Sequence, residues 1–444
     1  MADIAPLTPL RYDLSKAPAG LASLVAPPYD VISPQERAEL AARDPSNVVR
    51  LILPEGDGDT KYANAAETLQ AWIKAGVLVR DPEPAFYRYD QTFEPLCGGN
   101  AMTRRGFLAL VRLVPLSERV VLPHERTLTG PKEDRLRLFR ATRTNLSPGF
   151  MLYRDPRSTL DAPLETGTLL TEFSTRDGVH HALAKVTARD AVSALVKGIA
   201  ESTLLIADGH HRYETAVHYA REVSATHPDA SPRAEHRYFM TFLVNGDDPN
   251  LVVFPTHRFV HSLPGFSLDD LLAKASPWFT VRGLASATGA ETLLGELGRA
   301  KASGPSFVAA GGDGRALLLT LRTDIDIAAH PTLGKRPEVL RRTDVAVLHS
   351  ALLEDLLGIT QEAQAAKTNL WYPQDAAQAL RELRGGKGQV LFLMNATPVA
   401  EVRRVAEAGE VMPQKSTFFY PKVLTGLAIH TLEPSRTVAA PASS

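Results

Sequence analysis

The sequence predicts a mixed α/β chain, of the α+β type, with more than one domain. Apolar runs typical of strands alternate with segments whose apolar residues recur every three or four positions, and this mixture places helices and strands together. The chain has 444 residues, more than a single hydrophobic core usually serves. We therefore expect an N-terminal α/β segment at 1–120, a central domain at 121–262, a C-terminal α/β segment at 263–432 and a flexible tail at 433–444.

Elements of the first segment follow from local residue patterns. Ser33, Pro34 and Glu36 have the types and spacing of the N-cap, first and third positions of a helix, so we assign them no catalytic role. After this helix the sequence predicts a short buried strand in "NVVRLILP", a helix in "YANAAETLQAWIKAGVL", and strands in "AFYRYDQTFE" and "RRGFLALVRLV" that pair around a polar turn at Cys97, Gly98 and Gly99.

The stretch "LLIADGHHRYETAVHYA", residues 204–220, predicts a strand, a turn and a helix in succession. Residues 202–207 are apolar enough for a buried strand, and Ala216 and Ala220 lie on one face of the helix that follows. Residues 208–212 are therefore expected at the N-terminus of this helix. Further strands are predicted in "DGVHHALAKV" and "YFMTFLVN".

The third segment combines regular elements with an unusual polar stretch. "SFVAAGGDGRALLLTL" predicts a hairpin, "QVLFLMN" a strand, and "DVAVLHSALLEDLLG" a helix in which His349 is expected to be a hydrogen-bonded core histidine. The stretch "MPQKSTFFYPKVLTGL", residues 412–427, carries lysines and hydroxyls between two prolines. It is expected to follow a fixed, irregular path that folds back toward residues 208–212.

Composition limits the class of protein. The formal net charge is −1, and this balance gives no sign of the basic surface that nucleic-acid binding requires. The single cysteine, Cys97, excludes an internal disulfide and fits a reducing compartment. No apolar run approaches the roughly 18 residues of a membrane span, and the first residues lack the pattern of a secretory signal. A cytoplasmic protein without membrane or nucleic-acid partners is predicted.

Residues 208–212 carry the strongest chemical signal. The N-terminus of a helix attracts anions, Gly209 lets the backbone approach a ligand, and Arg212 can bind a phosphate with two hydrogen bonds. His210 and His211 add donors, and Asp208 suits a base or a nucleotide–Mg²⁺ site. The plain alternative is a helix start with Asp208 as its cap and the histidines on the surface. No ligand set for a metal held by the protein alone is predicted.

Eight stretches in order resemble the family called domain of unknown function 1015. They are "APPYDVI" (26–32), "NVVRLILPEG" (47–56), "HERTLTGPKEDRL" (124–136), "NLSPGFMLY" (145–153), "ADGHHRYETA" (207–216), "FPTHR" (254–258), "DVAVLH" (344–349) and "MPQKSTFFYPKVLTGL" (412–427).

The "ADGHHR" element is also similar to the phosphate-binding turn of the ParB and sulfiredoxin-like fold. That superfamily includes enzymes that phosphorylate free serine with ATP or ADP. The resemblance implies a central nucleotide-binding domain of this type, a free L-serine kinase that makes O-phosphoserine, and ATP or ADP with Mg²⁺ as cofactors. The partner would be a small hydroxyl-bearing metabolite.

The resemblance also implies roles for individual residues. The turn 208–212 would bind the nucleotide phosphates, and Glu125 would be the catalytic base, assisted by His124 or Asp208. Beyond the resemblance, we expect Lys132 and Lys415 to balance charge on the transferred group, and Ser416 and Thr417 to help to bind nucleotide or the serine carboxylate.

Of two other functions, one remains open and the other is disfavoured. A nucleotide-binding regulatory protein of the ParB type, without catalysis, is the main alternative. Sulfiredoxin-like redox chemistry requires a cysteine in the phosphate turn, where this chain has His210 and His211. The oligomeric state and the identity of the acceptor do not follow from the sequence.

Overall fold

The computed structural model describes residues 1–94, 100–126, 129–285 and 288–440, which form two compact units. Unit 1 consists of the described residues within 1–123, 127–252 and 421–444, and unit 2 consists of 124–126 and 253–420. Each unit mixes helices and sheet, as the predicted α/β class requires. No helix in the described part of the chain is long and apolar enough to cross a membrane.

Unit 1 is built on a mixed sheet of nine strands among its described residues. Every residue of its central strand Tyr238–Asn245 is buried, which is typical of a strand covered on both faces. The strand order is Val121–Leu122, Leu204–Asp208, Gly149–Tyr153, Tyr238–Asn245, Met102–Arg112, Phe86–Phe93, His180–Val186 and Thr168–Ser174, with Ile4–Ala5 also paired to Met102–Arg112.

Strands from both of the first two expected segments share this sheet, so the expected boundary near residue 120 falls inside unit 1. The expected strand pair flanks a turn at Cys97 to Gly99 that lies outside the described residues. Two short ribbons complete the strands of the unit, Leu10–Tyr12 with Leu78–Arg80 and Thr144–Asn145 with His430–Thr431.

Three of the described helices of unit 1, Pro34–Arg43, Thr60–Lys74 and His210–Thr226, lie where the sequence predicts them. Ser33 caps the first helix by accepting a hydrogen bond from the backbone N–H of Glu36 at 3.2 Å, as predicted. The strand predicted in "NVVRLILP" is wrong, because Val49–Ile52 forms a buried helical turn. The helices are Pro34–Arg43, Val49–Ile52, Thr60–Lys74, Thr129–Thr142, Asp161–Glu165, Arg189–Ala200 and His210–Thr226.

Unit 2 contains an antiparallel sheet and its own hydrophobic core. Its strand order is Phe279–Leu284, Ala316–Leu321, Ser306–Gly311, Val390–Met394, Arg258–Val260 and Leu370–Trp371, and a ribbon pairs Val252–Phe254 with Phe418–Tyr420. Its helices are Leu268–Ala275, Ala290–Ala300, Asp344–Val347, the π-helical Leu348–Leu356, Gln361–Ala366, Ala376–Arg384 and Val399–Glu407.

The described part of the expected tail is held by backbone hydrogen bonds within unit 1. The N–H of Val438 donates to the carbonyl of Arg233 at 2.8 Å, and the N–H of Glu235 donates to the carbonyl of Arg436 at 2.9 Å. Small polar residues resemble a frayed end in sequence, whereas these contacts order the backbone up to Val438. Residues 441–444 lie outside the described residues.

Candidate functional site

The predicted turn is present at the end of a strand in unit 1. The strand Leu204–Asp208 leads into the turn, and the helix His210–Thr226 begins directly after Gly209. Gly209 has a φ of 91°, and a Cβ at this position would lie 3.0 Å from atoms of the Arg212 guanidinium group. Both the left-handed backbone and this close contact require glycine.

Arg212 points into the protein instead of toward solvent. Its guanidinium donates hydrogen bonds to the carbonyl oxygen of Pro148 and, at 3.2 Å, to Oδ2 of Asp208. The side chain is buried, so in this conformation it links the turn to the neighbouring strand Gly149–Tyr153. The predicted phosphate contact therefore requires Arg212 to exchange at least one of these partners.

A lysine that the site prediction did not include also lies at the turn. Nζ of Lys422 is 4.0 Å from Oδ2 of Asp208, the oxygen that also accepts from Arg212, so two cations lie near one carboxylate oxygen. Two buried side chains position this lysine: Gln91 donates to the carbonyl of Lys422 at 3.0 Å, and Arg104 donates to the carbonyl of Pro421 at 2.5 Å. The expectation that 412–427 approaches the turn thus holds for its last part, which belongs to unit 1.

Arg104 is a second basic residue that sequence reasoning missed. It is 0% exposed and packs its guanidinium over the rings of Phe150 and Phe242, at 4.8 and 5.6 Å from their centroids. Among the described residues its Nε and Nη1 have no hydrogen-bond partner. Burial lowers the pKa of Arg104 to about 9, so it still carries its charge at neutral pH.

Several of the quoted sequence stretches meet beside Arg212. A cavity of about 30 Å³ is lined by Tyr29, Arg135, Ser147 and Arg212, among others. These residues come from four separate stretches of the resemblance, and the Arg135 guanidinium lies 4.2 Å from the centroid of the Tyr29 ring. The cavity has room for about one water molecule. It therefore marks where the four stretches pack together next to the turn, and it is too small to be a ligand pocket.

Lys132 is also close to the helix that begins at the turn. Its Nζ forms a 2.7 Å ion pair with Oε2 of Glu214, in the second turn of His210–Thr226. His210 is buried and His211 is half-buried. Unit 1 therefore brings together Lys132, the whole turn 208–212 and the additional cation Lys422.

Glu125 and His124 belong to unit 2, where they lie against the stretch 412–417. The N–H of Ser416 donates to Oε1 of Glu125 at 3.0 Å, and the N–H of Met412 donates to the carbonyl of His124 at 2.8 Å. The side chain of Glu125 is 20% exposed, and no described residue forms a hydrogen bond with its Oε2. One carboxylate oxygen is fixed while the other remains available.

The remaining predicted residues of unit 2 have mainly structural contacts. Ser416 donates its hydroxyl to the carbonyl of Pro413, and Thr417 shares a 2.9 Å hydrogen bond with Nε2 of His124. Lys415 is exposed and adopts a left-handed φ of 58°, a strained conformation for a residue other than glycine. Its carbonyl accepts a hydrogen bond from buried Arg258 at 3.1 Å.

Three solved structures are similar to the chain at low sequence identity. A variant of a free serine kinase in complex with ADP is 12% identical, with a TM-score of 0.34 and coverage of 67% of this chain and 83% of that chain. A conserved hypothetical protein from Pyrococcus furiosus is 13% identical, with a TM-score of 0.32 and coverage of 67% and 86%. SbnI from Staphylococcus aureus, truncated at its C-terminus, is 12% identical, with a TM-score of 0.33 and coverage of 72% and 85%.

Sequence comparison identifies the family. No curated protein matches the chain. The family model described as "Protein of unknown function (DUF1015)" matches residues 4–346, which include six of the eight quoted stretches in full. The chain therefore belongs to the DUF1015 family.

Proposed function

We propose that this protein binds the phosphates of a nucleotide at the turn 208–212 and transfers a phosphoryl group to the hydroxyl of a small molecule. ATP or ADP is the proposed donor, and free L-serine is the first acceptor to test. Donor and acceptor are taken from the resemblance of the sequence to free serine kinases, and the geometry of unit 1 supports the proposed phosphate-binding position.

The observation that carries the proposal is the excess of positive charge at a helix start. Arg212 and Lys422 both lie within 4.0 Å of Oδ2 of Asp208, and buried Arg104 interacts electrostatically with the same carboxylate. The positive end of the 17-residue helix dipole adds to these charges. One carboxylate therefore faces several positive groups, which suits a polyanion such as a nucleotide phosphate.

Asp208 has a second use once phosphate is bound. Phosphate would compete with Asp208 for the guanidinium of Arg212, and the released carboxylate would then be available to a cation. Mg²⁺ in proteins is commonly held by one or two carboxylates together with substrate phosphates and water, and Asp208 fits that role. The ion would neutralise charge on the phosphates.

Glu125 is proposed as the group that accepts the proton of the acceptor hydroxyl. In the transfer, the hydroxyl oxygen forms a bond with the terminal phosphorus of the donor, and the bond from that phosphorus to the bridging oxygen breaks. The hydroxyl proton passes to Oε2 of Glu125, and ADP or AMP leaves with the electron pair of the broken bond. His124, 3.7 Å from Oε1, would help to orient the carboxylate.

The first experiment follows phosphorus by NMR in mixtures of the protein, Mg²⁺, ATP or ADP, and L-serine. We expect a phosphoserine signal that depends on the protein. It should fall at least about 100-fold in Glu125→Gln, the magnitude typical of losing a general base. Lys422→Met should weaken nucleotide binding by about tenfold or more, while Lys197→Met, at an exposed lysine of unit 1, should leave it unchanged.

Three outcomes separate the possibilities. Product formation that Glu125→Gln abolishes supports the kinase. Nucleotide binding without any phosphorylated product, across serine and other hydroxyl-bearing metabolites, would replace it with the regulatory alternative. If Lys422→Met and Lys197→Met bind nucleotide equally well, the assignment of the site to the turn is wrong.

A further inference from the structure

A pocket of about 210 Å³ in unit 2 is not used by the function proposed above. It has room for about seven water molecules at roughly 30 Å³ each, which is enough for a small metabolite. We call it the Arg126 pocket. Its lining includes Arg126, His349, Ser350, Gln364, Tyr372 and Glu410.

The floor of the Arg126 pocket is fixed by a network of hydrogen bonds. Nε2 of His349 accepts hydrogen bonds from Arg258 at 3.0 and 2.9 Å, and its Nδ1 donates to Oε1 of Gln364 at 2.7 Å. Burial and the neighbouring Arg258 hold the pKa of His349 well below its usual value, so the imidazole is neutral. Gln364 uses its own N–H groups on the carbonyls of His349 and Ile359. The floor is therefore rigid and polar, and the buried guanidinium of Arg258, whose pKa of about 10 keeps it charged at neutral pH, lies directly behind His349.

His349 and Ser350 reach this position on the π-helical stretch Leu348–Leu356. The wide helix is evident where the N–H of Leu357 donates to the carbonyl of Leu352, five residues earlier, at 3.1 Å. Such helices are rare and occur often at functional sites. The prediction that His349 is a hydrogen-bonded core histidine is correct, and that histidine also forms part of a pocket.

The charged groups at the Arg126 pocket differ in whether they already have partners. Arg336 donates to Ser350 at 2.9 Å and pairs with Glu354 at 3.0 Å, so its charge is neutralised. Arg126 and Glu410 also line the pocket, but no described residue forms an ion pair with either side chain. Among the described lining residues, the pocket thus presents a cation and an anion without ion-pair partners above a floor of neutral polar side chains, His349 and Gln364, with Arg258 behind them.

We propose that the Arg126 pocket binds a zwitterionic α-amino acid. The ligand carboxylate would pair with the guanidinium of Arg126, which matches a carboxylate with two parallel hydrogen bonds. The ligand ammonium would pair with the carboxylate of Glu410. The side chain of the ligand would lie against the apolar part of the wall, formed by Leu340, Ala346, Ala365 and Met412.

An inorganic anion or a simple carboxylic acid fits these residues less well. Either one would satisfy Arg126 but would place its negative charge near Glu410 without compensation. A simple amine would satisfy Glu410 and leave Arg126 without a partner. The inference concerns unit 2 alone and does not depend on nucleotide binding at the turn of unit 1.

The test measures amino-acid binding to the full-length protein without nucleotide. The twenty amino acids are screened by saturation-transfer NMR, and each hit is then titrated by calorimetry. For every hit, the matching 2-hydroxy acid and the matching amine without a carboxylate are titrated as well. We expect at least one amino acid to bind, and both of its analogues to bind at least about tenfold more weakly.

Variants locate the binding. Arg126→Gln and Glu410→Gln should each weaken binding by about tenfold or more, and Ala365→Trp should block the mouth of the pocket from an exposed position. Arg322→Gln is the matched control, because Arg322 is a basic residue of unit 2 that pairs with Asp324 and is not part of the lining. Folding of each variant is checked by its thermal unfolding.

The proposal is overturned if no amino acid binds, or if Arg126→Gln and Glu410→Gln bind as tightly as Arg322→Gln. Amino-acid binding combined with an absence of phosphoryl transfer would reject the kinase proposal and leave this one intact. Phosphoryl transfer without saturable amino-acid binding at the Arg126 pocket would reject the amino-acid site and leave the kinase proposal intact.

Discussion

Gly209 shows how a single residue determines the geometry of the turn. Its φ of 91° lies in the left-handed region, and a Cβ there would lie only 3.0 Å from atoms of the Arg212 guanidinium. The sequence predicted the strand, the turn and the helix around this residue. It could not indicate that Arg212 folds back onto Asp208 and Pro148, because Pro148 comes from a distant part of the chain.

The stability lost when Gly209 is replaced by alanine can be compared with the loss at a second glycine of similar backbone conformation. Gly178 has a similar φ of 82°, but a Cβ there would meet no atom within 4 Å. Gly178→Ala should lower the free energy of unfolding only by the backbone strain, about 1–2 kcal/mol. Gly209→Ala should cost more, because it also displaces Arg212, and it should weaken nucleotide binding. Urea unfolding of the two variants checks this, and equal losses of stability would contradict the role of the Arg212 contact.

Arg104 and Lys422 mark the limit of sequence reasoning at the site. A basic residue in a strand is usually exposed, so Arg104 gave no signal that it is buried near Asp208. Lys422 belongs to a stretch that did attract attention, yet nothing local distinguishes it from Lys415, which lies in unit 2. Which lysine of that stretch reaches the turn is decided by Gln91 and Arg104, residues more than 300 positions earlier.

At the level of elements, the helix at the turn and several apolar strands were predicted correctly, one short apolar stretch was assigned wrongly, and the helices Thr129–Thr142 and Arg189–Ala200 were not predicted. The helix His210–Thr226 and its preceding strand carry clear periodicity, as does the hairpin of Ser306–Gly311 and Ala316–Leu321. Val49–Ile52 reads as a strand because its residues are apolar and β-branched. Its helical turn is fixed by buried Asn47, whose side chain accepts from the N–H of Val49 and donates to the carbonyl of Ser23.

The helix beginning at Asp344 contains a carboxyl group whose ionisation opposes folding. Burial, and then the nearby Glu401, raises the pKa of Asp344 to about 7. The proton is held more tightly in the folded state than in the unfolded state. The contribution of this group to stability is therefore complete below about pH 4 and is lost as the pH rises toward 7.

Asp344→Asn should remove this pH dependence from unit 2. The difference in unfolding free energy between the variant and the natural chain should shift in favour of the variant as the pH rises from 4 to 8. Glu401→Gln should lower the pKa of Asp344, because one repulsive charge is removed, and carboxyl NMR titration would detect the change. A pH-independent difference would show that Asp344 is not protonated in the folded protein.

At the level of the whole molecule, neither unit is a continuous segment of the chain. Unit 2 takes residues 124–126 from the middle of unit 1, and unit 1 takes residues 421–440 from beyond unit 2. The expectation of consecutive segments rested on changes in composition and periodicity along the sequence. Such changes do not show that a later strand pairs with a unit formed by earlier residues. The returning strand His430–Thr431 is only two residues long, too short to show a pattern.

Glu235 is the main attachment point for the returning residues. It is buried and accepts hydrogen bonds from Thr431 at 2.6 Å and from Arg436 at 3.1 Å. Glu235→Ala should therefore destabilise unit 1 by about 3 kcal/mol and expose residues 433–440 to proteolysis. Urea unfolding and limited proteolysis would test this, with Glu201→Ala at an exposed position as the control. Unchanged protection of 433–440 would contradict the attachment.

The return of the chain to unit 1 also sets an order of events during synthesis on the ribosome. Ser147 meets its hydrogen-bond partner Thr425 only after 278 further residues have been made, which takes about 15–55 s at ordinary rates of translation. Through that interval Asp208 lacks Lys422, and Arg104 lacks the carbonyl of Pro421. The nascent chain therefore carries an incomplete cluster of charged groups around Asp208, which is completed only after all of unit 2 has emerged from the ribosome.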